Sequence, residues 1–219
     1  WGYASDITRR WPVNGKFSDP QREIYQIVFD AGIAAINACQ AGSSWLSMHI
    51  SASKVIAQGL IDLGILDCTL DEAMGDPIEL DGPYRNFFMH GTGHFLGLDV
   101  HDAGSTELNG KPRKLLPGMV TTIEPGIYVR PNKETIDFPL LERDATKIRE
   151  RRKELGMEEA TKLEKEEIEK ANTIKHEIPK NLLGIGVRIE DDIVCTNQEP
   201  INLTKGVPRS VEEIEELCK

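Results

Sequence analysis

Hydrophobic residues in the first third of the chain recur at the spacing of a helix face. The pattern predicts two amphipathic helices. The apolar face of the first consists of Ile24, Ile27, Val28, Ile33 and Ile36, and that of the second consists of Ala52, Val55, Ile56, Leu60 and Leu63. Ser18 or Asp19 can cap the first helix, and Gly42 is expected to end it. The second helix is expected to begin near Ser44 and to end at Gly64.

After residue 86 the pattern changes to the alternation that is typical of short strands. Apolar alternation is found in segments that start at Phe87, Leu96, Val120 and Ile185. The pair Asp191-Asp192 is interpreted as a turn after the last of these segments. Two helices followed by mainly antiparallel strands predict an α+β fold.

Residues 142–177 depart from this pattern because they contain 11 acidic and 10 basic residues. Their apolar residues form only a thin line, which consists of Ile148, Leu155, Leu163 and Ile168. We therefore predict a charged helical insertion, broken near Gly156, that projects from between two strands of a single domain spanning residues 1–219. A partner-binding arm is the alternative interpretation.

Composition narrows the classes of function. The 219 residues carry a formal net charge of −10, and 39% of them are hydrophobic. Such acidity argues against a nucleic-acid partner, and no apolar run reaches the roughly 20 residues that a membrane-spanning helix needs. The four cysteines form no CxxC pair, so a reducing compartment is favoured over a disulfide framework.

Three of the five histidines lie close together, at His90, His94 and His101. The i, i+4 spacing of the first two would suit a zinc site on a helix, but Gly91 and Gly93 each cost about 1 kcal/mol in a helix. The glycines instead indicate a loop whose backbone lies close to another group. A single histidine in such a loop is more often a hydrogen-bonded core residue than a ligand. The presence of three histidines within twelve residues shifts the interpretation toward a functional role.

Carboxylates supply the remaining candidates. Glu190 shares a strand face with Arg188, while the other face is apolar, so it needs either that arginine or a cation as a partner. Glu124 at a strand end and Asp6 near a turn mean little alone. Together with one imidazole, these carboxylates form an oxygen-rich set that suits Mn²⁺, Co²⁺ or Fe²⁺, and bridging carboxylates can bind two ions that activate a water.

Four segments of the chain resemble one known family. The runs GYASDITRRWPVNGKFS, MHGTGHFLGLDVHD, LLPGMVTTIEPGIYV and GIGVRIEDDIVCT are similar to the C-terminal catalytic domain of Xaa-Pro aminopeptidases (aminopeptidase P), which are pita-bread metallopeptidases. The resemblance covers nearly the whole chain except the charged insertion. It implies a two-lobed antiparallel sheet with helices on its outer face. The DVHD form and the C-terminal PRSVEEIEELCK are most similar to the mitochondrial-type branch.

The resemblance also implies residue roles. Asp6, His94, Glu124 and Glu190 correspond to metal ligands of a dinuclear site, usually with Mn²⁺ and alternatively with Co²⁺, Fe²⁺ or Zn²⁺. Glu124 would also handle the proton of the attacking water. The remaining catalytic positions are His90 and His101, which would line the substrate pocket, and Arg188, which would orient the glutamates. The implied reaction is hydrolysis of the N-terminal Xaa-Pro bond of a peptide by a water that two metal ions activate.

Several expectations accompany this resemblance. The family has one further aspartate ligand about eleven residues before the Asp6 position, which would precede Trp1, so we expect a fragment with an incomplete N-terminus and impaired activity in isolation. An Xaa-Pro dipeptidase and a metal-free peptide- or protein-binding module of the same fold are the alternatives. We expect an intracellular protein, mitochondrial or cytoplasmic, and leave open a homodimer of the full-length parent.

Overall fold

The computed structural model describes residues 2–75, 80–139, 145–170 and 173–219. Its α-helices in these ranges are α1 (Asp19–Ala38), α2 (Trp45–Asp62), α3 (Leu70–Met74), α4 (Ala145–Leu155), α5 (Met157–Lys170) and α6 (Val211–Leu217). Short 3-10 helices lie at Pro83–Asn86 and Lys180–Leu182. None of the described helices combines the length and apolarity that a bilayer crossing requires.

All the described strands are short. They are β1 (Leu96–Gly97), β2 (Val100–His101), β3 (Glu107–Leu108), β4 (Lys111–Pro112), β5 (Val120–Ile123), β6 (Gly126–Tyr128), β7 (Thr135–Pro139), β8 (Thr173–Glu177), β9 (Gly186–Arg188), β10 (Asp191–Val194) and β11 (Ile201–Asn202). Every ladder between them is antiparallel, and β10 lies between β5 and β11. The predicted α+β class is therefore confirmed.

The first two helices begin where their capping residues predict. The Ser18 backbone N–H donates to Gln21 Oε1 at 3.0 Å, and the Leu46 N–H donates to Ser44 Oγ at 3.3 Å. These contacts satisfy N–H groups that a helix leaves unpaired at its start. The first helix ends at Ala38, before Gly42, which lies with a φ of +86° in the turn between the helices.

The hydrophobic core lies between the helices and one face of the strands. Helices α1 and α2 pack along each other, and α1 also contacts β5, β6 and β9. Ile24, Ile56 and Leu60 are fully buried on the helices, and Ile193 is fully buried on β10. Each such side chain contributes about 1.5–3 kcal/mol by leaving water. One face of the strands is thereby committed to the core, and the opposite face remains for polar groups.

Three strand predictions are wrong. Phe87–Met89 forms no strand, and the stretch from Leu96 to His101 is a tight hairpin of β1 and β2 instead of one strand. The chain reverses at Leu98 and Asp99, where Asp99 has a φ of +55°. The third error is the Asp191-Asp192 turn, since both aspartates lie in β10 opposite Ile123 and Thr122.

The charged insertion consists of a helical hairpin on a two-stranded ribbon. Helices α4 and α5 separate at Gly156, which has a φ of +82°. Residues 173–177 form the strand β8, paired with β7, where the sequence predicts helix. The strand forms there because residues 135–139 supply a partner ladder, which a local pattern cannot reveal. Residues 142–144 and 171–172 of the predicted insertion lie outside the described ranges.

Candidate metal centre

The His90–His94 loop continues as an extended segment along β5. The Glu124 N–H donates to the Thr92 carbonyl at 2.7 Å, and the Thr122 N–H donates to the His94 carbonyl at 2.9 Å. Gly93 is required here, because a Cβ at this position would lie 1.9 Å from the Thr122 carbonyl oxygen. This close backbone approach explains the glycine in the motif and places His94 next to Thr122, on the polar face of the strands.

Glu124 and Glu190 are neighbours across an antiparallel ladder. Ile123 pairs with Asp191, and Gly126 pairs with Arg188. Because the same register holds on both sides of the interruption at Pro125, Glu124 lies directly opposite Glu190. Directly opposed residues point to the same face, with Cβ atoms about 4.5–5.5 Å apart.

Asp6 reaches the same face from the N-terminal segment. Thr8 forms an antiparallel bridge with Glu190, and the Thr8 hydroxyl donates to Glu190 Oε2. Two residues earlier, the Asp6 N–H donates to the Asp192 carboxylate, at 3.2 Å from its Oδ2. Four adjacent extended segments therefore contribute one candidate ligand each.

The four side chains converge as the sequence predicts. Ligand atoms of His94, Glu124 and Glu190 lie within 4.8 Å of one another, and so do those of Asp6, His94 and His101. His94 belongs to both groups, so the described residues form one continuous donor cluster. Three carboxylates and one imidazole fit the oxygen-rich donor set of a divalent cation such as Mn²⁺.

The orientation of the His94 ring favours a cation. Its Nδ1 lies 3.0 Å from the Phe95 carbonyl oxygen, which can only accept, so Nδ1 carries a proton. Its Nε2 then faces Asp6 Oδ2 at 3.2 Å and Glu124 Oε1 at 3.6 Å. A lone pair beside two carboxylate oxygens is repulsive unless a proton or a cation lies between them. A backbone acceptor on the other ring nitrogen is the usual orientation of a metal-binding histidine.

Glu124 is half-buried and Glu190 is buried, and they have less positive charge beside them than two ionised carboxylates need. Burial raises the pKa of Glu124, against the lowering effects of Arg188 and His94. Burial likewise raises the pKa of Glu190, whose exposed fraction is 2%, although the Thr8 hydrogen bond opposes this shift. Arg188 is the nearest guanidinium, with Nη1 at 3.5 Å from Glu124 Oε2 and Nε at 3.8 Å from Glu190 Oε2. That Nε is buried and makes no hydrogen bond, so Arg188 only partly neutralises the pair.

His90 lies at the side of the cluster. Its Nδ1 lies 2.7 Å from the Gly91 carbonyl oxygen, so its Nε2 is the acceptor for the Tyr128 hydroxyl at 2.8 Å. Burial lowers the pKa of His90, which is consistent with a neutral ring. A substrate amide can contact Nε2 only by replacing the Tyr128 hydroxyl.

His101 is brought to the cluster by the β1–β2 hairpin. Its ring centroid lies 4.1 Å from that of His94, and its side chain is exposed. It belongs to the donor group that contains Asp6 and His94, so a ligand role competes with the predicted role in the pocket. The sequence therefore predicts that His101 lies close to the donor cluster. An experiment has to decide whether it is a metal ligand or a residue of the substrate pocket.

Sequence reasoning missed three residues around the centre. Thr8 binds Glu190, Asp192 accepts the Asp6 N–H, and His49 contacts Thr92 of the loop from helix α2. Burial raises the pKa of Asp192, which is 2% exposed. The pattern of residues 1–8 offers no local signal for the contacts of Asp6 and Thr8, because their partners lie more than 180 residues away.

Comparison with known proteins decides the family. The model of metallopeptidase family M24 matches residues 1–197. The chain belongs to metallopeptidase family M24. It is 37% identical over 216 residues to the Xaa-Pro aminopeptidase of Escherichia coli and 34% identical over 218 residues to Xaa-Pro aminopeptidase 3 of Mus musculus. These alignments cover 99% of the chain but only 38% and 32% of the two relatives.

Solved structures confirm the predicted pita-bread fold. The aminopeptidase PepP of Pseudomonas aeruginosa superposes with a TM-score of 0.73 at 37% identity, covering 99% of this chain and 38% of that one. Zinc-substituted aminopeptidase P of Escherichia coli in complex with product gives a TM-score of 0.72 at 37% identity, with the same coverage of each chain. The predicted family resemblance is thus confirmed, and the chain spans about two fifths of the length of these relatives.

Proposed function

We propose that the protein is a metal-dependent aminopeptidase that removes the first residue of a peptide when proline is second. The observation that carries this proposal is the convergence of Asp6, His94, Glu124 and Glu190 on one face of four adjacent segments. The Xaa-Pro aminopeptidases among the relatives support the substrate class. The mitochondrial-type branch and an intracellular location stay predictions.

These four residues would hold the metal, with Mn²⁺ as the proposed ion. Two divalent cations, when bound, would supply Lewis acidity and make a water nucleophilic near neutral pH. The second ion is part of the proposal, because it rests on the family's fifth ligand, the aspartate expected upstream of Asp6. Thr8 and Arg188 orient Glu190 through the contacts described above, and such supporting contacts tune metal affinity.

The remaining roles belong to groups that touch the peptide. Glu124 faces the cluster with a carboxylate oxygen that accepts the proton of the attacking water. His90 and His101 lie near the cluster and would line the pocket for the scissile amide, with His101 as the donor, because His90 Nε2 already accepts the Tyr128 hydroxyl. A bond to proline is a tertiary amide without an N–H, so its recognition depends on donors directed at the carbonyl oxygen.

The test uses the full-length protein, stripped with a chelator and reloaded with Mn²⁺, Co²⁺, Fe²⁺ or Zn²⁺. We expect metal-dependent release of alanine from Ala-Pro-Ala and little release from Ala-Ala-Ala. Cleavage of Ala-Pro alone would indicate an Xaa-Pro dipeptidase. A folded protein that binds no metal and cleaves none of these peptides would contradict the proposal and indicate a binding module.

A second experiment separates the two roles of His101. We expect His101→Ala to retain its metal, measured by elemental analysis, and to lose turnover about 100-fold or more, because general acid–base and donor groups contribute on that scale. Loss of the metal from a folded His101→Ala protein would instead identify His101 as a ligand.

A further inference from the structure

His49 contacts the His90–His94 loop, which contains the candidate ligand His94, from helix α2. It lies in helix α2, and its Nδ1 is 2.8 Å from Thr92 Oγ1. Thr92 is the central residue of the His90–His94 loop and is 4% exposed. The contact joins two elements that are 43 residues apart in the chain.

The hydrogen-bond partners define the state of the His49 ring. The Tyr84 hydroxyl donates to the Leu80 carbonyl at 3.1 Å, so a lone pair remains for His49 Nε2 at 3.4 Å. Nε2 therefore carries the proton, and Nδ1 accepts the Thr92 hydroxyl. Burial lowers the pKa of His49 to about 4, with Arg85 and His90 adding to the shift, so the ring is neutral at physiological pH.

Thr92 transmits this contact to two candidate ligands. Its carbonyl accepts the Glu124 N–H at 2.7 Å, and two residues further on His94 enters the cluster. Glycines at positions 91 and 93 flank Thr92, so the loop has little conformational preference of its own. Thr121 and Thr122 bind the His94 backbone on the β5 side, and His49 supplies the contact from the helix side.

We propose that His49 is a positioning residue, which fixes the metal-binding loop through Thr92 and thereby raises metal affinity and turnover. The inference rests on the proposed function for its effect on turnover. His49 belongs to neither donor group of the described residues, and its contact to the His94 ring and the Glu124 backbone runs through Thr92 of the loop. Residues that orient metal ligands in this way typically account for 10- to 100-fold in affinity or activity.

The experiment compares matched pairs of variants in the full-length protein. Thr92→Val removes the hydroxyl at nearly constant volume, and Thr92→Ser keeps it. His49→Leu removes both ring nitrogens, and His49→Asn keeps an acceptor near the position of Nδ1. We expect Thr92→Val and His49→Leu each to weaken Mn²⁺ binding and lower kcat by about 10-fold with KM unchanged, and the Ser and Asn variants to retain most of both.

The double variant distinguishes positioning from general destabilisation. If both residues act through one hydrogen bond, Thr92→Val combined with His49→Leu is no worse than either change alone. Additive losses, or a folded Thr92→Val protein with unchanged Mn²⁺ affinity and kcat, would overturn the inference. Thr92→Val decides the matter if His49→Leu fails to fold.

Amide hydrogen exchange gives a readout that does not depend on metal or activity. We expect faster exchange at the His94 and Glu124 amides in Thr92→Val than in Thr92→Ser, with exchange in helix α1 unchanged. Equal exchange in the two variants would contradict the positioning role. Failure of the proposed function would instead be seen in the unaltered protein, as absent metal binding or absent Xaa-Pro cleavage.

Discussion

The helical hairpin of α4 and α5 and the candidate metal centre are both rich in glutamate and arginine, but they neutralise charge differently. In the hairpin, Arg151 and Arg152 each have a different glutamate within hydrogen-bonding distance. Arg152 Nε and Nη2 donate to the two oxygens of Glu164 at 3.0 and 2.7 Å, and Arg151 contacts Glu167 at 2.8 Å. In the metal centre one guanidinium, that of Arg188, faces both Glu124 and Glu190 at 3.5 and 3.8 Å.

Burial makes this difference informative. The Glu167 side chain is 50% exposed, so water stabilises whatever charge Arg151 leaves unbalanced, whereas Glu190 is 2% exposed. A buried carboxylate without a full partner either raises its pKa or binds a cation. The same residue types therefore indicate a solvated surface in one region and a cation site in the other.

The largest effect is expected for loss of a candidate ligand. Glu190→Gln keeps the size of the side chain and removes its charge, so we expect the metal to be lost. Xaa-Pro cleavage should fall about 1,000-fold or more, which corresponds to a loss of several kcal/mol of transition-state stabilisation. Glu164→Gln in the hairpin is the matched control and should keep normal activity and metal content, both measured on the full-length protein. Normal metal content in Glu190→Gln would contradict the ligand assignment.

The next effect concerns ion pairs outside the cluster. Arg9 Nη2 lies 2.6 Å from Asp191 Oδ1, and the two side chains are 7% and 4% exposed. Although burial opposes it, hydrogen bonding by Arg9 and Thr204 lowers the pKa of Asp191, so removing Arg9 leaves a buried charge that retains Arg209 and Thr204 as its partners among the described residues. We expect Arg9→Met to lower the free energy of unfolding by about 3–5 kcal/mol.

The control for Arg9 is Arg151→Met, which removes one half of a hairpin ion pair whose side chains are 33% and 50% exposed. We expect this change to lower the free energy of unfolding much less than Arg9→Met does, because exposed pairs contribute little. Both variants are measured by urea unfolding, and their free energies of unfolding are compared when the dependence on urea concentration has the same slope as in the unaltered protein. Equal losses in the two proteins would show that burial does not separate the two regions.

A smaller effect is expected from the titration of His49. Its pKa in the folded protein, about 4, lies below the value of 6.5 expected when unfolded, so the unfolded chain binds the proton more readily. The stability that depends on a neutral His49 ring is fully present above about pH 6.5. It is lost as the pH falls toward 4, which lowers the free energy of unfolding by up to roughly 3 kcal/mol.

The His49 prediction is measured as a difference between two proteins. Arg85 and His90 face His49, and burial raises the pKa of Glu124 and Glu190, so these glutamates also affect stability in acid. Wild type is therefore compared with His49→Asn by urea unfolding at pH 7.5 and pH 4.5. The wild type should lose more stability than the variant at the lower pH. Parallel pH profiles would show that His49 is not a buried neutral group.

The smallest effect is expected when the hairpin is removed. In the described ranges β7 pairs only with β8, and Pro139 lies opposite Thr173, so residues 140–172 can be replaced by an Asn-Gly turn that closes the same ladder. We expect metal content and Xaa-Pro cleavage to stay within about twofold of the unaltered protein. Loss of folding would show that the hairpin is structural, and loss of a binding partner alone would indicate a partner-binding arm.

Local signals explain which parts of the fold the sequence predicts. The starts of α1 and α2 depend on capping residues within a few positions, and both are found at Ser18 and Ser44. The strand from Val120 to Ile123 is also found where the local sequence pattern predicts it. The β1–β2 hairpin was not predicted, because its reversal at Asp99 uses a positive φ that the sequence, lacking a glycine there, does not indicate.

Long-range partners explain what the sequence could not predict. Asp191 and Asp192 are typical turn residues, yet they lie in a strand, where Arg9 and Arg209 pair with Asp191 and the Asp6 N–H donates to Asp192. His49 lies in helix α2, and its partner Thr92, 43 residues further along the chain, is identified only by the packing of α2 on the loop. The candidate ligands were predictable as a set from the family motifs, whereas the contacts that orient them were not.

The central claim is that Asp6, His94, Glu124 and Glu190 bind divalent cations at one place. Anomalous diffraction at the manganese edge from crystals of the full-length protein grown with Mn²⁺ tests it most directly. We expect an anomalous peak about 2.0–2.3 Å from donor atoms of these side chains, at ordinary metal–ligand distances. A catalytically active crystal form with no peak there, or with its only peak elsewhere, would show that these four residues do not form the metal site.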